Sequence, residues 1–241
     1  MKISEKEWLK YRNSLSRINK KAEQEFVSWI DSQGGYAMVD KVKAVNYAYA
    51  LATKYGEASA SLSAMMYDEI ANFSGADVPP AEVAETATYQ EVAKAINGAA
   101  KISTLSSYLG GVVGRLVKQA GADTTLKNAQ RDHAMFAWIP AGETCVFCLA
   151  LAAEGWKYAS KKGGSHAKHI HSNCDCTYAV RFDKDTKVGG YDPDKYRQQF
   201  KNAEGDTFNE KKNSLRREYY DRNKDEINEH KRIAYEENNE S

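Results

Sequence analysis

No run of apolar residues in this 241-residue chain approaches the roughly 18 that a membrane-spanning helix needs. Proline and cysteine are scarce, at four residues each. The start, Met1 to Leu15, has no apolar stretch followed by a small-residue cleavage site, so no secretory signal is expected. Synthesis and folding in a reducing cytoplasm follow as an expectation, and there cysteines serve as metal ligands or redox groups more often than as disulfides. Charge of one sign is also lacking. With 34 basic and 33 acidic side chains the net charge is +1, so no global field attracts nucleic acid or membrane. P-loop, G-x-G-x-x-G, H-E-x-x-H and G-x-S-x-G patterns are absent. The apolar fraction of 42% is ample for a core without covalent staples.

What is present in the first half is helical periodicity. Ser4 and Glu7 have capping-box spacing. After them Trp8, Tyr11, Leu15, Ile18, Ala22, Phe26 and Ile30 recur every three or four residues, up to a stop at Gly34-Gly35. A second helix is expected from Asp40 to Ser74-Gly75. Val42, Val45, Tyr49, Leu62, Met66, Ile70 and Phe73 mark its buried side. Pro79-Pro80 suggests the next start. Two further helices are expected over 80–96 and 100–120, divided by Asn97-Gly98, the second carrying Leu105, Leu109, Val112, Val113, Leu116 and Val117. These stripes read as helix-on-helix core.

The texture changes near residue 130. Met135 to Ile139 reads as a strand stopped by Pro140, Cys148 to Ala153 as a short helix ended by Gly155, and Trp156-Lys157-Tyr158 and Cys176 to Phe182 as further strands. Gly189-Gly190 begins an expected linker, and 206–239 an expected charged helix. Residues 205–241 hold ten acidic and eight basic side chains, which suits a solvated helix or a docking arm. The expected fold is therefore mainly α with a small α+β zinc-stapled module. The helical body covers 1–130, the metal-binding module 131–185, and the linker and charged C-terminal helix 186–241.

All four cysteines fall within 32 positions, as Cys145-x-x-Cys148 and then, after 22 residues, His171-x-x-Cys174-x-Cys176. Zinc takes four thiolate or imidazole ligands in a tetrahedron, and this pattern offers five candidates for four places. The preferred set is Cys145, Cys148, His171 and one of Cys174 or Cys176. If both cysteines bind, His171 supports the site from behind a ligand. Four protein ligands leave no open position for water, which favours a structural zinc, one per chain, over catalysis. Disulfides and unrelated thiols are the competing readings. Lys157, Lys161, Lys162, Lys168 and Arg181 form a small basic group around the module, a candidate DNA contact. The near-neutral total disfavours tight sequence-independent binding, which needs many phosphate neutralisations.

Enzymatic patterns fit less well. A zinc deaminase needs H-x-E ahead of its C-x-x-C, and His133 is followed by Ala134 and Met135. A metal-dependent nuclease would need a second hard-cation site near His169 or His171. A thioredoxin-like role leaves the second cysteine pair unexplained.

The segment W-I-P-A-G-E-T-C-V-F-C-L-A-L-A-A-E-G, followed by H-S-N-C-D-C and Y-D-P-D-K-Y, resembles the minor head proteins of tailed bacteriophages, the Mu F-like group. Cys145, Cys148, His171, Cys174 and Cys176 match that group's motif, over about residues 136–200. Asp175 stands where the group typically has Arg. The resemblance implies a virion component with no catalytic activity, assembled in the host bacterial cytoplasm. It implies oligomeric association at the portal vertex, with portal protein, and possible contacts with the major capsid protein and packaged DNA. A metal-dependent nuclease or hydrolase, or a cellular zinc-binding adaptor, are the alternatives.

Overall fold

The computed structural model describes residues 2–141, 146–159, 176–225, 227–229, 232 and 235. It is mainly helical, with a small sheet. Among the described residues no helix is long and apolar enough to cross a membrane.

Helix α1 spans Glu5–Ser32. Its capping box forms as the sequence predicts. The Glu7 amide donates to Ser4 Oγ (3.2 Å) and the Ser4 amide donates to Glu7 Oε2 (3.0 Å). Trp8, Tyr11, Leu15, Ala22, Phe26 and Ile30 are buried, joined by Asn19. Gly34 and Gly35, at φ +85° and +94°, end the helix in a conformation that side chains disfavour. A short 3-10 turn at Tyr36–Met38 leads into α2, Lys41–Ser74, which Asp40 caps by accepting from the Lys43 amide (2.9 Å).

The buried side of α2 differs from the expected one. Val42 and Phe73 are 60% and 56% exposed, and Tyr49 is exposed as well. Val45 and Ile70 are buried as expected, and Leu62 and Met66 are partly buried, but the stripe also takes in Leu51, Tyr55 and Tyr67 and the small residues Ala44, Ala48, Ala52, Gly56, Ser59, Ala60 and Ser63. The cause lies in the helix it packs against, α4 (Ser106–Arg131). A Cβ placed on Gly121 would sit 2.6 Å from Ser59 Oγ, and one on Gly110 would sit 2.5 Å from Val27 Cγ2 of α1. At these points the long helices approach so closely that only small residues fit, since interaxial distance follows side-chain size at the contact.

Residues 76–88 form no helix, contrary to the reading from Pro79-Pro80. They run extended along α4 and α2, held by side chains that pair with backbone. Asn128 accepts from the Glu82 amide (2.9 Å) and donates to the Glu82 carbonyl (2.8 Å). Thr124 accepts from the Ala84 amide (3.0 Å), and Asp68 from the Ala81 amide (2.7 Å). Arg131 donates to the carbonyls of Pro79 and Pro80. Helix α3, Tyr89–Ala100, starts later, at a Thr88–Glu91 capping box, and runs through Asn97-Gly98.

Strand β2 (Met135–Ile139) is the centre of an antiparallel sheet between β3 (Lys157–Tyr158) and β4 (Thr177–Arg181). Every residue of β2 is buried. Helix α5 is Val146–Ala153. One core joins this sheet to the ends of the helices. Trp8, Tyr11, Tyr67, Ile70 and Leu126 share a cluster with Phe136, Trp138, Tyr178, Val180, Cys148 and Leu151. A second core lies among α1, α2, α3 and α4, around Phe26, Ile96, Leu109 and Val113.

The expected linker at Gly189-Gly190 is packed in place. Strand β1 (Lys2–Ile3) pairs in parallel with β5 (Lys187–Val188), and the Gly189 amide donates to the Ile3 carbonyl (2.9 Å). A Cβ on Gly189 would lie 2.4 Å from the Glu5 nitrogen. Helix α6 (Pro193–Asn202) follows, capped by Asp192, and then α7 (Phe208–Arg222). The expected 206–239 helix is interrupted by a turn at Asn223.

Two outcomes test this packing. Asn128→Ala strips both hydrogen bonds from the Glu82 backbone and is expected to cost about 1–3 kcal/mol in denaturant unfolding; an unchanged midpoint would show that the extended segment is not held this way. The second concerns Asp132. Burial raises its pKa, but the Arg131 pair (2.7 Å) and the Tyr67 hydroxyl (2.8 Å) outweigh that and hold it below the usual carboxylate value. A depressed folded-state pKa gives stability that is present above about pH 4 and lost as pH falls through the folded value. Asp132→Asn should therefore flatten the acid limb of the thermal midpoint plotted against pH.

Candidate metal centre

The pairing of β2 with β4 decides where the two cysteine-bearing segments meet. The register sets Ile139 opposite Thr177 and Met135 opposite Arg181. Antiparallel strands paired this way leave the sheet at the same end, so Pro140, which leads towards the first cysteine pair, and Cys176, which ends the second, emerge side by side. Helix α5 then carries Cys148 back under the sheet. Cys148 is 1% exposed within the shared core, and Cys176 is half-buried and packs against the same cluster. Cys145, His171 and Cys174 lie outside the described residues, so the description covers two of the five candidate ligands. Among the described residues no group of three or more metal-ligating side chains comes together.

The surroundings of the two described cysteines were not legible in the spacing. Arg12 of α1 donates to the Pro140 carbonyl (3.4 Å), so α1 reaches the end of β2 where the chain turns towards the first cysteine pair. Tyr196 of α6 has its pKa raised, first by burial and then by the neighbouring Cys176, while Arg12 acts in the opposite sense. Cys176 also borders a small cavity of about 30 Å³ with Tyr11, Arg12, Ser59, Ser63 and Thr125. Cys176 thus sits where α1, α4, α6 and the sheet meet. A thiol buried in such a place gains from deprotonation only beside a cation or a metal, since burial disfavours the thiolate.

The far end of α5 is closed by α6. Arg197 Nε donates to the Ala153 carbonyl (2.8 Å) and Tyr191 Oη donates to the Ala152 carbonyl (2.9 Å). Arg197 thereby serves a carbonyl of the open helix end, and Tyr191 adds a second donor to the Ala152 carbonyl, which also accepts from the Gly155 amide (3.2 Å). Gly155, at φ +72°, turns the chain beneath Arg197, where a Cβ would lie 2.6 Å from the guanidinium. The Y-D-P-D-K-Y segment and the Arg197 that follows it therefore clamp the helix that carries Cys148.

Of the basic candidates, Lys161, Lys162 and Lys168 lie outside the described residues. Lys157 pairs with Glu154 and stands over the Phe136 ring at 5.6 Å. Arg181 is half-buried, with its guanidinium 4.7 Å above the Trp156 ring and a bond to the Lys184 carbonyl (3.1 Å). Its pKa is lowered by burial, with Asp183 the largest opposing influence. Both side chains are engaged within the module.

A protein-family model described as "VG15 protein" matches residues 2–203, which takes in the helical body, the sheet and α6. No curated protein and no solved structure matches the chain.

Arg181 and Lys157 should separate in mutagenesis. Arg181→Met is expected to lower stability by about 1–2 kcal/mol through loss of its ring and carbonyl contacts. Lys157→Ala, breaking a partly exposed pair, should shift it by less than about 1 kcal/mol. Equal effects in thermal unfolding would contradict the structural role assigned to Arg181.

Proposed function

The chain belongs to the VG15 protein family, a family of phage-like viral gene products, and on that premise we propose that it is a structural minor head protein of a tailed phage. In this reading it sits at the portal vertex, assembles there as an oligomer with the portal protein, and serves head assembly or the handling of packaged DNA. Contacts with the major capsid protein and with the packaged DNA belong to the same proposal. So does its place in the virion after assembly in the host cytoplasm. The observation that carries the reading is the extent of the family match, which spans the bundle and the cysteine module as one unit. The motif likeness to Mu F-like head proteins adds the finer assignment.

The proposed role is a staple and scaffold without catalysis. Four of Cys145, Cys148, His171, Cys174 and Cys176 would hold one zinc. The common end of β2 and β4, and the burial of Cys148, fit such a donor set. Zinc, when bound, supplies a tetrahedral cross-link between the two cysteine segments. The chain's own residues do the rest. Arg12 and Tyr196 close the sheet end from two sides, and Arg197 and Tyr191 hold α5 in place.

The module shares its core with the helices, so chelation should loosen the neighbourhood of α5 while most helicity persists. Elemental analysis is expected to find about one zinc per chain; a metal-free and fully folded protein would sink the zinc assignment. Co-expression with the portal protein of the same phage should yield a co-purifying complex. Absence from purified virions by mass spectrometry would overturn the head assignment. Cleavage of plasmid DNA with magnesium or manganese, lost in a folded His171→Ala variant, would overturn the non-catalytic one.

A further inference from the structure

The small cavity beside Cys176, of about 30 Å³, lies where α1, α2, α4 and β4 meet. Each of three elements brings to it a buried oxygen that has no hydrogen-bond partner among the described residues: Asn19 Oδ1 of α1, Ser59 Oγ of α2 and Thr177 Oγ1 of β4. Asn19 and Ser59 are 5% and 1% exposed as whole residues. Leaving one such group unpaired in an interior is costly, and native folds seldom do it. Orphaned oxygens from three elements at one place call for a common partner. Gly121 of α4 keeps the space open, since a Cβ there would fall 2.6 Å from Ser59 Oγ and 2.8 Å from Ser63 Oγ. Ser63 Oγ accepts from the Tyr11 hydroxyl (3.1 Å), which leaves the Ser63 proton to donate. Thr125 Oγ1 donates to the Gly121 carbonyl (3.2 Å) and keeps its lone pairs.

Size and chemistry select the occupant. A water needs about 10–15 Å³ of such space, so the cavity has room for roughly two and for no organic molecule. Its charged lining residues, Arg12 and Lys118, are both cations, which opposes a metal ion. Asn19 Oδ1 can only accept, so an anion would leave it unpaired. Water donates to that oxygen and accepts from the hydroxyls. We infer that the cavity is an internal hydration site, in which about one or two ordered waters bridge Asn19, Ser59 and Thr177 and so join β4 to α1 and α2 through solvent. The site lies at the sheet end from which the cysteine segments emerge, yet it requires neither a metal nor the head-protein assignment, and it stands or falls separately from both.

The test is a high-resolution crystal structure of the full chain. A spherical density peak should stand within about 3.2 Å of Asn19 Oδ1 and of at least one of Ser59 Oγ and Thr177 Oγ1. That peak should carry no anomalous signal after soaks in bromide or in thallium(I), the probes for a chloride-like anion and a potassium-like cation. A second measurement needs no crystal. Thr177→Val keeps the branched shape of the side chain and removes the hydroxyl. Where the hydroxyl bonds a water, its loss lowers the thermal midpoint; where it is truly orphaned, its loss raises the midpoint. Wild type and variant are compared at equal metal content, because Cys176 is the neighbouring residue. An empty cavity, an anomalous peak within it, or a Thr177→Val midpoint at or above the wild-type value would each overturn the inference.

Discussion

Trp8 and Tyr11 of α1, Tyr67 and Ile70 of α2 and Leu126 of α4 bury themselves against Phe136, Trp138, Tyr178 and Val180 of the sheet. A three-stranded sheet of five-residue and two-residue strands cannot bury both faces alone. Seated on the ends of three long helices, it does. That shared core orients β2 and β4, and their register in turn brings the two cysteine-bearing segments out of the sheet together. It also changes what a metal would do here. A module with its own small core would depend on the ion for folding. This one has the bundle beneath it, so zinc would act on the sheet's open end and on α5.

The bundle in turn depends on small residues. Gly110 and Gly121 let α4 come close to α1 and to α2, with Ser59 and Ser63 of α2 facing Gly121. Of the large apolar residues of α2 that look like core from their spacing, Val45 and Ile70 are buried, while Val42, Tyr49 and Phe73 are left outside. Hydrophobic periodicity weights residues by apolar size, whereas close helix approach rewards the absence of size. The small-residue part of the α2 stripe is therefore nearly silent in a pattern of apolar residues. In α1 the two criteria agree, and its face is readable almost residue by residue.

Polar side chains decide the course of residues 76–88. Two prolines followed by helix-compatible residues suggest a helix start, yet Asn128, Thr124 and Asp68 offer hydrogen-bond partners that an extended chain can use and a helix cannot. Those partners lie 13 to 46 positions away in sequence, beyond any local pattern. Nearly the whole described chain separates β1 from β5, whose pairing turns an apparent glycine linker into a close contact with the start of α1.

By itself the sequence determined what rests on local chemistry: the capping box at Ser4, the strand from Met135 to Ile139, the short helix carrying Cys148, and the grouping of cysteines and histidine that suits a metal. These depend on neighbours within a few positions, where side-chain type and spacing carry the physics. Only the tertiary structure decided which face of α2 is buried, that 76–88 stays extended, and that Cys148 and Cys176 belong to one core. Each of these is settled by contacts between residues far apart in the chain, where the energy of burial and of hydrogen bonding depends on what arrives from elsewhere.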